Sequence, residues 1–155
     1  MSSREILILS GPNLDLLGVR DVALYGSATL DDHVERLVAR GRELGVEVAH
    51  RQSNFEGDLI EAIHDARENY AGIIINAGAL THGSWALRDA LAIFAGPKVE
   101  VHLSNPAARE PFRHLSTIAA VVNGSISGFG GLSYDLALEA VVRLLDATPP
   151  ASGSA

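Results

Sequence analysis

Cysteine is missing from the chain, which removes disulfides, thiolate nucleophiles and cysteine-held zinc or iron–sulfur centres. Lysine occurs once, as Lys98 at the start of an expected strand, a poor place for a Schiff base. Cations are scarce overall: 12 Lys and Arg stand against 19 Asp and Glu, for a formal net charge of -7. A chain of that sign repels nucleic acid and anionic membrane, so neither is expected as a partner. A small anionic substrate would need a site that gathers its own cations and donors. No apolar run approaches the roughly 20 residues that span a bilayer. The opening Met1-Ser2-Ser3-Arg4-Glu5 does not lead into the apolar core and cleavage site of a signal peptide. A cytoplasmic protein is expected. Neither a Walker phosphate loop nor a G-x-S-x-G nucleophile elbow occurs; Gly124-Ser125-Ile126-Ser127-Gly128 has the wrong order. No pair of histidines has metal-ligand spacing beside a carboxylate, so no metal site is expected.

What is present is a regular alternation. The 155 residues, 47% of them hydrophobic, suffice for one domain with its own core, expected over 1–147. The tail 148–155, nearly all Pro, Ser, Gly and Ala, is expected to be disordered. Short apolar runs predict strands at Ile6 to Leu9, Val46 to His50, Gly72 to Asn76, Lys98 to His102 and Ile118 to Val122. Helical spacing predicts helices from Thr29 to Leu44, Glu56 to Tyr70, Ser84 to Phe94 and Ser133 to Leu145. Thr29 and Asp32 have the spacing of a capping box, Asn54 is placed to cap the second helix, and Asn105-Pro106 opens a short turn or helix. Strands alternating with helices predict an α/β fold, a doubly wound five-stranded parallel sheet of flavodoxin-like order 2-1-3-4-5. Such sheets bind ligands outside the carboxyl ends of their strands, which selects the segments after Leu9, Asn76 and His102.

Those segments are rich in side chains that do chemistry. Glu100 and His102 lie two apart on one strand, so both leave from the same face. A carboxylate beside an imidazole fixes its tautomer and favours its protonated form, as a general acid needs; an ordinary strand-end ion pair has the same spacing. Arg20 and Tyr25 share a Gly-bounded loop. A guanidinium near a phenol favours the phenolate, so the pair could supply a base; a Tyr packed on an Arg stem is the plainer alternative. Asn13, Asn76 and Ser104 supply neutral hydrogen-bonding groups, and Arg113 could clamp a carboxylate through two parallel hydrogen bonds. His33, His50 and His64 fall in or beside expected elements and read as structural or exposed. Gly128-Phe129-Gly130-Gly131 follows the last strand, which suits helix packing better than a nucleotide.

In order and spacing, several stretches together resemble the type II 3-dehydroquinate dehydratases from about Ile6 to Leu145. They are Gly11-Pro12-Asn13-Leu14, Leu17-Gly18 with Arg20 and Tyr25-Gly26-Ser27, Arg51-Gln52-Ser53-Asn54, Asn76 with Gly78-Ala79 and Thr81-His82, Leu87-Arg88-Asp89-Ala90, Val99 through Asn105, and Phe112-Arg113-His114. The resemblance implies a lyase that converts 3-dehydroquinate to 3-dehydroshikimate by reversible anti elimination of water through an enolate, without a cofactor. The reaction serves the shikimate pathway or quinate breakdown. Tyr25, aided by Arg20, would take the C2 proton; Asn13 would hold a water that stabilises the enolate; His102, oriented by Glu100, would protonate the departing hydroxyl. Asn76, His82, Ser104, Arg113 and the backbone of Leu103 would bind the substrate, while Asp89 would reach a neighbouring subunit's site. A homododecamer built as a tetramer of trimers is also implied, as is a lid carrying Arg20 and Tyr25.

The chain departs from the family pattern where Phe55 stands for a common His, Ala77 and Leu80 for Pro and Tyr, Leu115 for a second His, and Asp21-Val22 for Glu-Pro. None of these positions is one that the resemblance makes catalytic. Two readings from other classes compete: a non-catalytic relative that binds a carboxylated polyol, and a flavin or nucleotide protein of the same fold. An acid–base pair is superfluous to the first, and the second lacks its phosphate loop.

Overall fold

The computed structural model describes residues 4–148. Strands β1 (Glu5–Ser10), β2 (Glu47–Gln52), β3 (Gly72–Asn76), β4 (Lys98–His102) and β5 (Gly124–Ser127) form one sheet, ordered β2-β1-β3-β4-β5. Every adjacent pair is parallel, the expected flavodoxin-like order. The helices are α1 (Val22–Tyr25), α2 (Leu30–Glu43), α3 (Glu56–Asn69), α4 (Trp85–Ile93) and α5 (Leu132–Ala147). Among the described residues no helix is long and apolar enough to cross a membrane.

Period-two alternation sorts the strands into two cores. Ile6, Ile8, Val48, Ile74, Val99 and Val101 pack with α2 and α5, whereas Leu7, Leu9, Ile73 and Ile75 pack with α3 and α4. With helices on both faces, the central strands read as unbroken apolar runs. The same alternation places Ser10 and Asn76 on the α2/α5 face, with Glu100 and His102 on the other.

Local signals explain the helix ends. Thr29 and Asp32 form a complete capping box at the start of α2, and Gly45 takes a positive φ of 81° just past its end. Asn105 accepts a hydrogen bond from the Ala107 amide and opens the 3-10 turn Pro106–Ala108. Three expectations need correction. Ile118 to Val122 is not a strand: Ile118 plugs the α3/α4 core, and Ala119–Val121 form a 3-10 turn. The fifth strand is Gly124–Ser127, a polar edge strand whose alternation is too weakly apolar to be read. Asn54 does not cap α3; its Oδ1 accepts from the Asn13 amide at 2.9 Å and from Gln52 Nε2 at 3.2 Å. The one-turn helix α1 lies in what reads as a loop. The tail expected over 148–155 lies, apart from Thr148, outside the described residues.

The loops after β1 and β3 are pressed together at the binding edge. The Gly11 amide donates to Asn76 O at 2.8 Å, and a Cβ on Gly11 would meet Ala77 O at 2.4 Å and Ala77 C at 2.7 Å. Both are backbone atoms that cannot swing aside. Gly11→Ala is therefore expected to cost about 3 kcal/mol, as overpacking does. At roughly 2–4 °C per kcal/mol for this size, a melting scan would show a fall of about 6–12 °C. An unchanged Tm would mean that the two loops are not in contact.

Two histidines tie stability to pH. Burial pulls His33 below its usual range, with Arg36 adding to the effect while Asp135 and Asp32 oppose it; burial likewise lowers His50, with Asp31 opposing. A lowered folded-state pKa means that below about pH 6.5 the unfolded chain binds protons the native state refuses. The contribution is present above that pH and lost as pH falls through the folded value. At fixed protein concentration, the urea midpoint should be lower at pH 5 than at pH 7.5, and His33→Gln should narrow the gap. Equal midpoints in the unmodified protein would contradict this.

Candidate active site

The strand order reverses between β1 and β3, which opens a crevice at their carboxyl ends. Asn13, Arg20, Tyr25, Asn76, His82, His102, Leu103, Ser104 and Arg113 all line it, so nine of the residues singled out in the sequence share one cleft. Glu100 stands behind His102 rather than in the lining, as a positioning residue would. Asp89 does not line the cleft and is exposed on α4.

Arg20 precedes α1 and Tyr25 is its last residue. Arg20 Nη2 donates to the Tyr25 hydroxyl at 3.2 Å, and its Cζ lies 4.9 Å from the ring centroid. A second guanidinium, that of Arg109, lies 5.5 Å from the same centroid and donates to Ser104 Oγ at 3.2 Å. The Tyr25 side chain thus lies against two guanidiniums. Reading the sequence alone missed Arg109. The available signal was charge: two of the chain's few cations, Arg109 and Arg113, follow a strand that ends at the binding edge.

Glu100 and His102 form the expected pair. Glu100 Oε2 lies 2.6 Å from His102 Nε2, and its other oxygen accepts from Ser116 Oγ at 2.7 Å. Glu100 is only 3% exposed, so both carboxylate oxygens are satisfied in a dry setting. Nε2–H is the donor to the carboxylate, which leaves Nδ1 as the ring nitrogen for a ligand. The His82 ring is stacked on that of His102 with centroids 6.5 Å apart, and its Nδ1–H donates to Leu115 O at 2.8 Å.

The Asn13 backbone is left-handed, with φ 70°, and its amide is held by Asn54. Its side chain makes no hydrogen bond with the described residues, which leaves it available to a ligand or water. Arg113 lies over Phe112 and donates to Glu110, whose carboxyl it holds below the usual range. Among the described residues, no three His, Asp or Glu side chains gather to hold a metal ion. The cleft therefore joins three guanidiniums, two imidazoles, a phenol and neutral donors. That set can bind a hydroxylated carboxylate and move protons at two atoms of it.

Comparison with known proteins points the same way. The family model described as "Dehydroquinase class II" matches residues 4–142. Proteins named 3-dehydroquinate dehydratase from Trichodesmium erythraeum and Deinococcus radiodurans are each 52% identical to this chain. The alignments cover 91% of it and 94% and 99% of those relatives. The crystal structure of type II dehydroquinase from Propionibacterium acnes superposes with a TM-score of 0.88 at 44% identity, covering 92% of this chain and 98% of that one. By sequence and by fold, the chain belongs to the class II dehydroquinase family.

Proposed function

We propose that this chain dehydrates 3-dehydroquinate to 3-dehydroshikimate, as its relatives' name states of them, in the shikimate pathway or in quinate breakdown. The observation that carries this reading is the placing of a guanidinium-flanked phenol and a carboxylate-oriented imidazole in one arginine-lined cleft. Tyr25, as phenolate, takes a proton from C2, and the C2–H pair becomes an enolate whose charge rests on the C3 oxygen. A water held by Asn13 stabilises that oxygen. The enolate pair then forms the C1–C2 double bond, the C1–O bond breaks, and His102 protonates the leaving hydroxyl to water. Glu100 stabilises the imidazolium that does so. Arg113, Ser104, Asn76, His82 and the Leu103 backbone bind the carboxylate and hydroxyls. The reaction asks for a base, an acid and preorganised donors, all of which are side chains of this chain.

Stereochemistry tests the arrangement, because a single fixed base reaches one face of C2. With substrate deuterated on either C2 face in turn, only the deuterium anti to the C1 hydroxyl should be lost. Loss from both faces would contradict Tyr25 as the base.

The family resemblance also supports a single catalytic domain over 1–147, a lid formed by the loop around α1, and a dodecamer built from trimers. Exposed Asp89 would then complete a neighbour's cleft. Light scattering on the purified chain should give twelve times the monomer mass, and a monomer with full activity would rule the assembly role out.

A further inference from the structure

Behind Asn76 lies a set of polar side chains that the proposed mechanism does not use. Asn76 lines the cleft yet is only 4% exposed. Its Oδ1 accepts from the Gly78 amide at 3.2 Å, and its Nδ2 donates to the Tyr134 hydroxyl at 3.4 Å. Tyr134, on the first turn of α5, is 1% exposed; burial raises its phenol, and its hydrogen bonds with Asn76 and Ser10 act against the rise. Ser10 is wholly buried, and its Oγ lies 2.9 Å from His50 Nε2. Ser10 pairs with Asn76 across β1 and β3, while His50 on β2 pairs with Ile8, two residues before Ser10. The three side chains therefore lie on one face of neighbouring strands, Ser10 and Asn76 at the ends of β1 and β3 and His50 two residues short of the end of β2.

Donors and acceptors can run along this row in one direction. Asn76 donates to Tyr134, so the Tyr134 hydroxyl must place its own proton on another acceptor, and Ser10 is the one beside it. Ser10 can in turn donate to His50 Nε2, which accepts when the imidazole is neutral with its proton on Nδ1. We infer that Tyr134, Ser10 and His50 are positioning residues that fix the Asn76 amide toward the substrate. This rests on the dehydratase reading for its catalytic consequence, not for its geometry. His50 is faced by Asp31 on α2 and shares a surface hollow with Asp15 from the turn after β1. Protonation of His50 would turn the Ser10 hydroxyl back toward Tyr134 and leave the phenol proton without its acceptor in a sealed interior.

The test combines kinetics with a spectroscopic readout on the full-length protein. Tyr134→Phe and His50→Leu should each raise KM for 3-dehydroquinate roughly five-fold with kcat within about two-fold, since one hydrogen bond orienting a binding group is lost. His50→Gln keeps an acceptor and should restore KM. In ¹H–¹⁵N spectra, the Asn76 side-chain amide (the signal lost in Asn76→Asp) should shift as His50 titrates, and that dependence should vanish in Ser10→Ala. Because partly exposed His50 tolerates substitution more easily than buried Tyr134, its two variants decide the matter even if Tyr134→Phe does not fold. An Asn76 signal and KM indifferent to His50→Leu would overturn the inference. Absence of turnover by the unmodified protein would instead sink the dehydratase reading, while the amide signal would still decide the positioning.

Discussion

Tyr25→Phe is expected to lower kcat by about 10³–10⁴-fold, the upper part of the range for losing a positioned base. The ring and its place between Arg20 and Arg109 are kept, and only the oxygen that receives the Arg20 hydrogen bond goes. Binding should therefore change little: calorimetry with a carboxylated competitive ligand should give a Kd within about three-fold, because the groups proposed to grip the carboxylate and hydroxyls remain. Equal losses in turnover and affinity would make Tyr25 a binding residue and leave the reaction without its base.

His102→Ala is expected to be about as damaging to product formation, by roughly 10²–10⁴-fold, but to fail at a different point. Without His102 the hydroxyl at C1 has no acid to leave with, while Tyr25 can still abstract and return the C2 proton. In D2O the variant should exchange deuterium into C2 of unreacted 3-dehydroquinate without making 3-dehydroshikimate. Tyr25→Phe should do neither. If His102→Ala loses the exchange as well, the two residues do not serve separate steps. Glu100 strengthens the assignment: one of its oxygens is on His102 and the other on Ser116, and it does not line the cleft.

Much of this is legible in the sequence alone. Ile73, Ile74 and Ile75 are fully buried because β3 lies at the centre of a sheet covered on both faces, and an unbroken apolar run is what that position requires. Glu100 and His102 meet because strand periodicity forces residues two apart onto one face. What escaped the sequence depends on tertiary context. Ile118 looks like the start of a strand because it is apolar, but that character serves the α3/α4 layer, and the polar run Gly124–Ser127 pairs with β4 instead. Asn54 resembles a helix cap, yet the left-handed turn at Asn13 offers its side chain a better-placed amide. Arg109 belongs to the cleft because two 3-10 turns fold the segment after β4 back over Tyr25; Asn105-Pro106 announces the first turn but not the direction it takes. The row from Asn76 to His50 joins three strands and a helix far apart in the chain, so only the sheet register reveals it.

The most direct measurement of the central claim is ultraviolet absorbance after purified protein is mixed with 3-dehydroquinate, following the conjugated enone carboxylate of 3-dehydroshikimate. The signal should grow without added metal or cofactor. It should also survive prior treatment with borohydride and substrate, since the single lysine, Lys98, donates from Nζ to the carbonyls of Leu91 and Phe94 and does not line the cleft. No growth of the signal, with folded protein and verified substrate, would contradict the account and leave a binding protein on the same scaffold.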